Sequence, residues 1–567
     1  MKKLTALLLA LAMVLAMAAC GNSAPADAGS AAPAADAASA EAPAADEAAP
    51  AADEAVPAAD EAAAPAEDEG GYKVFTYGTD ANSTTFDPAS DLQTNSGNFL
   101  VHAVGESLWT CDPDGNMSLK VASDVSYTPE ALDITLNEGV MFSNGDELTA
   151  DDVLFTFQHN ASQFRTMAMY ACMDLANAEI VDDYHIIIPM NYYDAALVDL
   201  LGNASCMILD ADVAGAEGYT YDWLIGSGPY MLKGDGVSDK SGWEESVKYT
   251  LVRNPYYWGE APYYDEFDVY FYSQESTRYA DLQSGKLDAA YLTEATYINN
   301  LSKGAVPETS LITVNENAVF CFEMAVEMGG SSGEPGEPAV FSDINVRKAL
   351  AHCLDIPTMV ESLGEGVYDV ASSLVGEGSW VYEDLGVYEY DPELAKEYLA
   401  EAGYGPDNPL NVSVYCEGTA WNAALCEAAQ SYAAAIGINL DLSNVTDFAT
   451  ILPSLIANQV PMSLGQGSNG SGNDPANLLQ QFGPSSDNSL LRIRDEDLAE
   501  LFNAGSQEPD HDTRVQIYQD LIRGMYDQYH VIPICVGTVN FGVKDAHTSF
   551  AAAIDTSNRV DPCLLTD

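Results

Sequence analysis

Positive charge is scarce in this sequence: 21 Lys and Arg stand against 87 Asp and Glu, a formal net charge of −66 over 567 residues. Nucleic acid is held by Lys and Arg that neutralise phosphates, and anionic lipid attracts the same side chains, so both are excluded as partners of the protein surface. Histidine is scarcer still. The seven residues, at 102, 159, 185, 352, 511, 530 and 547, show no H-x-x-x-H spacing, no C-x-x-C accompanies them, and no zinc site is expected. Cys111-Asp112-Pro113-Asp114-Gly115 lacks the third acid and distal Glu of a calcium loop. A P-loop is missing too, because Ser284-Gly285-Lys286 is followed by Leu287. No cofactor is therefore expected. Gly329-Gly330-Ser331-Ser332-Gly333 has the letters of a nucleophile elbow, but Glu334-Pro335-Gly336-Glu337-Pro338 cannot start the helix that motif needs. Catalysis is not expected, and a secreted hydrolase is a rival reading only.

The sequence also lacks a tight cysteine framework. Apart from Cys20, nine cysteines lie far apart at 111, 172, 206, 321, 353, 416, 426, 535 and 563, an odd number that leaves at least one thiol unpaired. What is present is apolar: 47% hydrophobic residues, 31 Tyr and 17 Phe make wholesale disorder impossible.

Residues 1–19 read as an export signal, with Lys2 and Lys3 ahead of an apolar stretch from Leu4 to Ala16. The stretch is short for a bilayer span of about 20 residues. Met17-Ala18-Ala19-Cys20-Gly21 resembles a lipoprotein signal box, which implies cleavage before Cys20 and a lipid on its sulfur. Residues 20–70 are almost entirely Ala, Pro, Asp, Glu, Ser and Gly, with 12 acids and no base after Gly21. Pro43, Pro50 and Pro57 recur every seven residues, yet Ala buries too little for a coiled coil and each Pro breaks a helix. An extended, self-repelling tether is expected. The remaining 71–567 carries 75 acids against 19 bases, a net −56.

Within that body, helix and strand signals alternate, which predicts an α/β or mixed fold. Thr149 followed by Asp152 forms a capping box ahead of Val153, Leu154, Phe155 and Phe157. Asp391-Pro392-Glu393 opens a helix closed by Gly403, with Leu394, Tyr398, Leu399 and Ala402 as its apolar face. An Ala-rich helix from Ala420 to Ile436 hands over at Gly437 to the alternating strand Ile438-Asn439-Leu440-Asp441-Leu442. The run from Glu327 to Pro338 is an exposed loop by composition.

Gly139-Val140-Met141-Phe142-Ser143-Asn144-Gly145-Asp146-Glu147-Leu148-Thr149-Ala150-Asp151-Asp152-Val153-Leu154-Phe155 is similar to a signature of the extracellular solute-binding proteins that serve oligopeptide, dipeptide and nickel ABC importers, family 5. It is followed, in that family's order, by Gly226-Ser227-Gly228-Pro229-Tyr230, Leu251-Val252-Arg253-Asn254-Pro255-Tyr256-Tyr257-Trp258, Leu282-Gln283-Ser284-Gly285-Lys286-Leu287-Asp288, Asn345-Val346-Arg347 and Tyr390 to Tyr404. The resemblance implies an α/β, two-lobed periplasmic-binding-protein-like fold. Lobe I would be 71–320 with 536–567, bearing an extra subdomain at about 116–224, and lobe II would be 321–535. It also implies a monomeric receptor, lipid-anchored at the extracellular face of the membrane, that passes an oligopeptide or other small solute to ABC permease subunits. A structural surface lipoprotein would share the signal and tether but not the ordered motifs. Most signature residues are expected to supply turns, caps and core rather than ligand contacts.

Two loops that face the ligand in the family depart from its pattern. Dipeptide-binding members carry an Arg for the peptide carboxylate in the loop matching Tyr415-Cys416-Glu417-Gly418-Thr419-Ala420-Trp421, where this chain has none. Their later Gly-rich loop holds an Asp for the peptide ammonium three residues before an Asp-Pro. In Ser468-Asn469-Gly470-Ser471-Gly472-Asn473-Asp474-Pro475 that position is Ser471. Desolvating a free carboxylate or ammonium without a counter-charge costs several kcal/mol, so short dipeptides are disfavoured. Longer peptides held by their backbones remain open, as do neutral or cationic solutes met by Glu417 and Trp421. Expected ligand contacts are Asn82, Ser83 and Thr84 after the first strand, Glu417, Thr419 and Trp421, and Asn469, Ser471 and Asn473. For each the alternative is ordinary structure: a turn at 82–84, a solvated carboxylate at Glu417, a core anchor at Trp421.

Overall fold

A sheet of eleven strands runs the length of the folded body, and two long strands within it explain the architecture. A computed structural model describes residues 71–80, 85–89, 95–111, 116–163, 166–167, 169–328, 339–446, 448–467, 474–481, 495–554 and 560–567. The signal, Cys20, the tether, the G-x-S-x-G run and residues 112–115 of the Cys111–Gly115 turn lie outside these residues. In the first half of the sheet are β1 (Val74–Thr79), β8 (Tyr230–Leu232), β9 (Trp243–Glu244), β10 (Lys248–Arg253), β11 (Glu266–Phe271) and β12 (Ala289–Leu292). In the second half are β14 (Leu410–Glu417), β15 (Ile438–Thr446) and β16 (Met462–Gly467). β13 (Thr309–Met324) and β17 (Val531–Lys544) pair antiparallel and traverse both halves, giving the order β15-β14-β16-β13-β17-β12-β1-β11-β10-β8, with β9 on β10. Their register shifts between Asn315 and Val319, at the crossing from one half to the other.

Each half has its own core. Phe75, Tyr77, Phe99, Tyr230 and Phe267 pack with Val539, Phe541 and Phe550, so the C-terminal segment completes the first half. In the second half, the period-two alternation of a strand puts Phe322 and Met324 on one face with Leu350, Leu399, Val414 and Leu425. Val319 and Cys321 face the other way, with Leu479, Tyr518 and Leu521. A separate layer built on β4 (Ala122–Tyr127), β5 (Ala131–Leu136), β6 (Glu179–Asp182) and β7 (His185–Pro189), preceded by the antiparallel pair β2 (Trp109–Cys111) and β3 (Met117–Leu119), buries Trp109, Ile134, Phe142, Phe157 and Ile186.

The helix signals act locally as expected. Asp152 accepts the Thr149 amide at 2.8 Å and so starts helix Ala150–Ser162. Asp391 accepts from the Glu393 and Leu394 amides, and Gly403 sits at φ +85° after helix Pro392–Glu401. That helix buries Ala395 and Leu399, with Tyr398 and Ala402 packed at the margin. Helix Ala420–Ala434 ends two residues before the expected Ile436.

The ordered motifs turn out to be stitching. Glu106 accepts from Ser227 Oγ at 3.2 Å and from Trp258 Nε1 at 2.8 Å, joining two of them. Asn254 donates to Gly228 O at 2.9 Å. A Cβ at Gly226 would lie 2.2 Å from Val104 O, so only glycine lets these backbones approach. Asp288 binds the Thr76 amide and hydroxyl, and buried Arg347 donates to the Phe341 and Gln528 carbonyls.

Candidate functional site

Strand register locates the site. β1 is parallel to β11 and β12, and β12 is antiparallel to β17, with Leu292 opposite Asn540 and Ala289 opposite Val543. The carboxyl ends of β1, β11 and β12 therefore point along β17 toward the second half. There, β16 runs antiparallel to β13 with Gly467 opposite Val319, and β14 and β15 are parallel to it. Their carboxyl ends point back toward the first half. Both sets converge on the crossing around Asn315–Val319, the position where open α/β sheets bind ligands.

On the first side, Arg278 is buried and pairs with Glu275 at 3.2 Å. Glu275 also accepts from the Thr293 amide and hydroxyl and from the Glu294 amide, just beyond β12. Burial pushes the nearby Asp80 carboxyl up, opposed by the Arg278 charge. Partial desolvation beside the protein surface, with the Glu275 charge adding to it, also raises Glu294. This edge is thus acidic among the described residues, and the Arg278 charge there is paired with Glu275.

On the second side, Gly418 donates to Thr446 O at 2.8 Å, tying the loop after β14 to the end of β15. Thr419 caps helix Ala420–Ala434 by accepting the Asn422 amide, and Asn422 Nδ2 returns to Glu417 O at 3.0 Å. The loop is thereby rigid, with the Glu417 and Thr419 side chains exposed. No cation pairs with Glu417 among the described residues. Trp421 is half-buried and stacks on Tyr368 at 4.1 Å and 16°, with Phe320 edge-on to both rings. It anchors the loop to the core. The remaining expected contacts, Asn82, Ser83, Thr84, Asn469, Ser471 and Asn473, lie outside the described residues.

Asp474, the acid of the retained Asp-Pro, is turned to structure: Arg514 grips it through two bonds of 2.8 and 3.0 Å, all buried. Asp199 accepts the Asp474 amide at 2.9 Å and the Ala195 amide reaches Ser506 O at 2.8 Å. Helix Leu197–Leu201 thus seats Leu197 and Leu201 in the layer around Trp109, and Leu200 in the core around Tyr518. Sequence reasoning missed this contact, as it missed Arg278 and Tyr368. The i,i+3 spacing of Glu275 and Arg278 on a helix was the available signal for one of them.

A cavity of about 540 Å³ is lined by Asp146, Glu147, Asp151, Asp152, Asp210 and Asp212 with Phe142 and Phe155. It lies away from the converging strand ends. Asp152 and Asp210 are engaged in capping helices, which accounts for acids gathering there. No group of three or more metal-ligating side chains occurs among the described residues.

A family model described as bacterial extracellular solute-binding proteins, family 5 Middle, matches residues 106–489. Heme-binding protein A of Haemophilus influenzae is 28% identical over 328 residues, 53% of this chain and 53% of its own length. Oligopeptide-binding protein AppA of Bacillus subtilis is 26% identical over 338 residues, 57% of each chain. The chain thus spans little more than half the length of these curated relatives. Among solved structures, the PBP AgaA from A. tumefaciens R10 in complex with agropinic acid matches with a TM-score of 0.73 at 20% identity, covering 87% of this chain and 98% of that one. The fold is accordingly the two-lobed α/β architecture of the periplasmic binding proteins.

Proposed function

Because the chain belongs to the bacterial extracellular solute-binding proteins of family 5, we propose that it captures an oligopeptide between its lobes and delivers it to an ABC-type permease. The observation that carries this reading is the convergence of the strand ends of both halves on one crossing. A ligand there touches both lobes, so its burial drives their closure without any covalent step. We place lobe I at 71–320 with 536–567, its extra subdomain at about 116–224, and lobe II at 321–535. The protein works as a monomeric receptor rather than an enzyme, held by a lipid on Cys20 through the 20–70 tether at the extracellular face of the membrane. Among the described residues, Glu417 at the second edge has no cation partner and Arg278 at the first is paired with Glu275, which favours a peptide held along its backbone rather than by its carboxylate.

The same acidity supports a second reading, a neutral or cationic non-peptide solute. Thermal unfolding of the purified protein with peptide mixtures, amines and small metabolites separates the two. A ligand at a hundred times its Kd stabilises by about 2.7 kcal/mol. Stabilisation by oligopeptides supports the first reading; stabilisation by amines alone supports the second. Turnover of peptides or esters without any stabilisation would overturn both.

A further inference from the structure

Cys416, one residue before the end of β14, and Cys426, in the second turn of helix Ala420–Ala434, are both buried with sulfurs 3.6 Å apart. Other thiols behave differently: Cys206, Cys321, Cys353 and Cys563 donate to main-chain carbonyls at 3.2 to 3.5 Å. We propose that Cys416 and Cys426 are a disulfide-forming pair that staples β14 to the following helix around the loop bearing Glu417, Thr419 and Trp421. A disulfide needs sulfurs at about 2.05 Å, so closure asks for an approach of roughly 1.5 Å between side chains already turned toward each other. The thiol–thiol hydrogen bond holds Cys416 below the ordinary thiol value and raises Cys426, which makes Cys416 the attacking sulfur.

The oxidant is a low-molecular-weight disulfide, the form in which thiols persist outside cells. The Cys416 thiolate attacks it, one small thiol leaves, and a mixed disulfide forms on Cys416. Cys426 then gives up its proton and attacks the Cys416 sulfur, expelling the second small thiol. Two protein S–H bonds are lost, one S–S bond is gained, and the small disulfide is reduced to two thiols. The linkage does not depend on which solute the receptor binds.

The test treats the reduced full-length protein with cystine, alkylates remaining thiols after denaturation, and maps peptides after chymotryptic cleavage. Cleavage after Trp421 separates the two cysteines, so a disulfide holds the fragments together. The expected result is that the two fragments stay joined, that alkylation of Cys416 and Cys426 falls at least about tenfold relative to the other cysteines, and that dithiothreitol reverses both changes. C426S should trap the small thiol on Cys416 as a stable mixed disulfide. Full alkylation of both residues after cystine treatment, or pairing of either with a different cysteine, would overturn the proposal.

Discussion

The two lobes finish their parallel strands in opposite ways. At the first, buried Glu275 pairs with buried Arg278 and accepts from Thr293 and the Glu294 amide, so its carboxylate is turned inward. At the second, the main chain after β14 is equally well tied down, yet Glu417 and Thr419 project from it exposed. The difference teaches where ligand chemistry can vary. Changing the first edge breaks a wall that supports the fold, whereas changing the second alters a rigid platform's decoration.

The largest expected effect therefore belongs to the first lobe. Glu275→Ala strands a buried guanidinium and the Thr293 and Glu294 amides, and should cost about 3–5 kcal/mol in urea unfolding. Equal stability would mean that the network is ornamental. Next comes Glu323 on β13, whose buried carboxyl is pushed up to about 7 and is met by Ser463 Oγ at 2.7 Å. A folded pKa above the unfolded one means stability that is full below about pH 4.5 and lost as pH rises through 7. Relative to Glu323→Gln, the native protein should lose on the order of 3 kcal/mol across that window. Buried His530, lowered to about 3, acts in the opposite sense but is common to both proteins and cancels in the comparison. Parallel pH profiles would contradict the assignment.

Trp421→Ala removes the ring stacked on Tyr368 and should cost about 2 kcal/mol while loosening the loop. Binding should weaken with it, which titration of the variant reads directly. The smallest effect on stability is expected for Glu417→Gln, an exposed side chain without a protein cation partner among the described residues. Its thermal midpoint should scarcely move, while affinity for a cationic ligand should fall roughly fivefold. A large stability loss with unchanged binding would reverse the contrast between the lobes.

Much of this architecture was legible in the sequence because its signals are local. Thr149 with Asp152, Asp391 with Pro392, and Gly437 between helix and strand each act within a few residues, and the structure uses them so. The apolar face of helix Pro392–Glu401 was partly misassigned: small Ala395 lies deepest beside Leu399, while Leu394 is only half-buried. Non-local features could not be read. The partner of Trp421 is Tyr368, fifty-three positions earlier, and the strand ends are brought together by a register that only β13 and β17 define. The departures at 415–421, which lacks an Arg, and at Ser471, where an Asp is expected from the family resemblance, were visible only because a family pattern existed to depart from.

That these departures remove both zwitterion contacts is the central proposal, and calorimetric titration tests it most directly. Purified protein titrated with free dipeptides should show binding no tighter than about millimolar, because neither charged terminus gains a buried counter-charge. An oligopeptide acetylated at its N-terminus and amidated at its C-terminus should bind at least as tightly as its uncapped form. Submicromolar binding of a free dipeptide, abolished by capping its ends, would contradict the account.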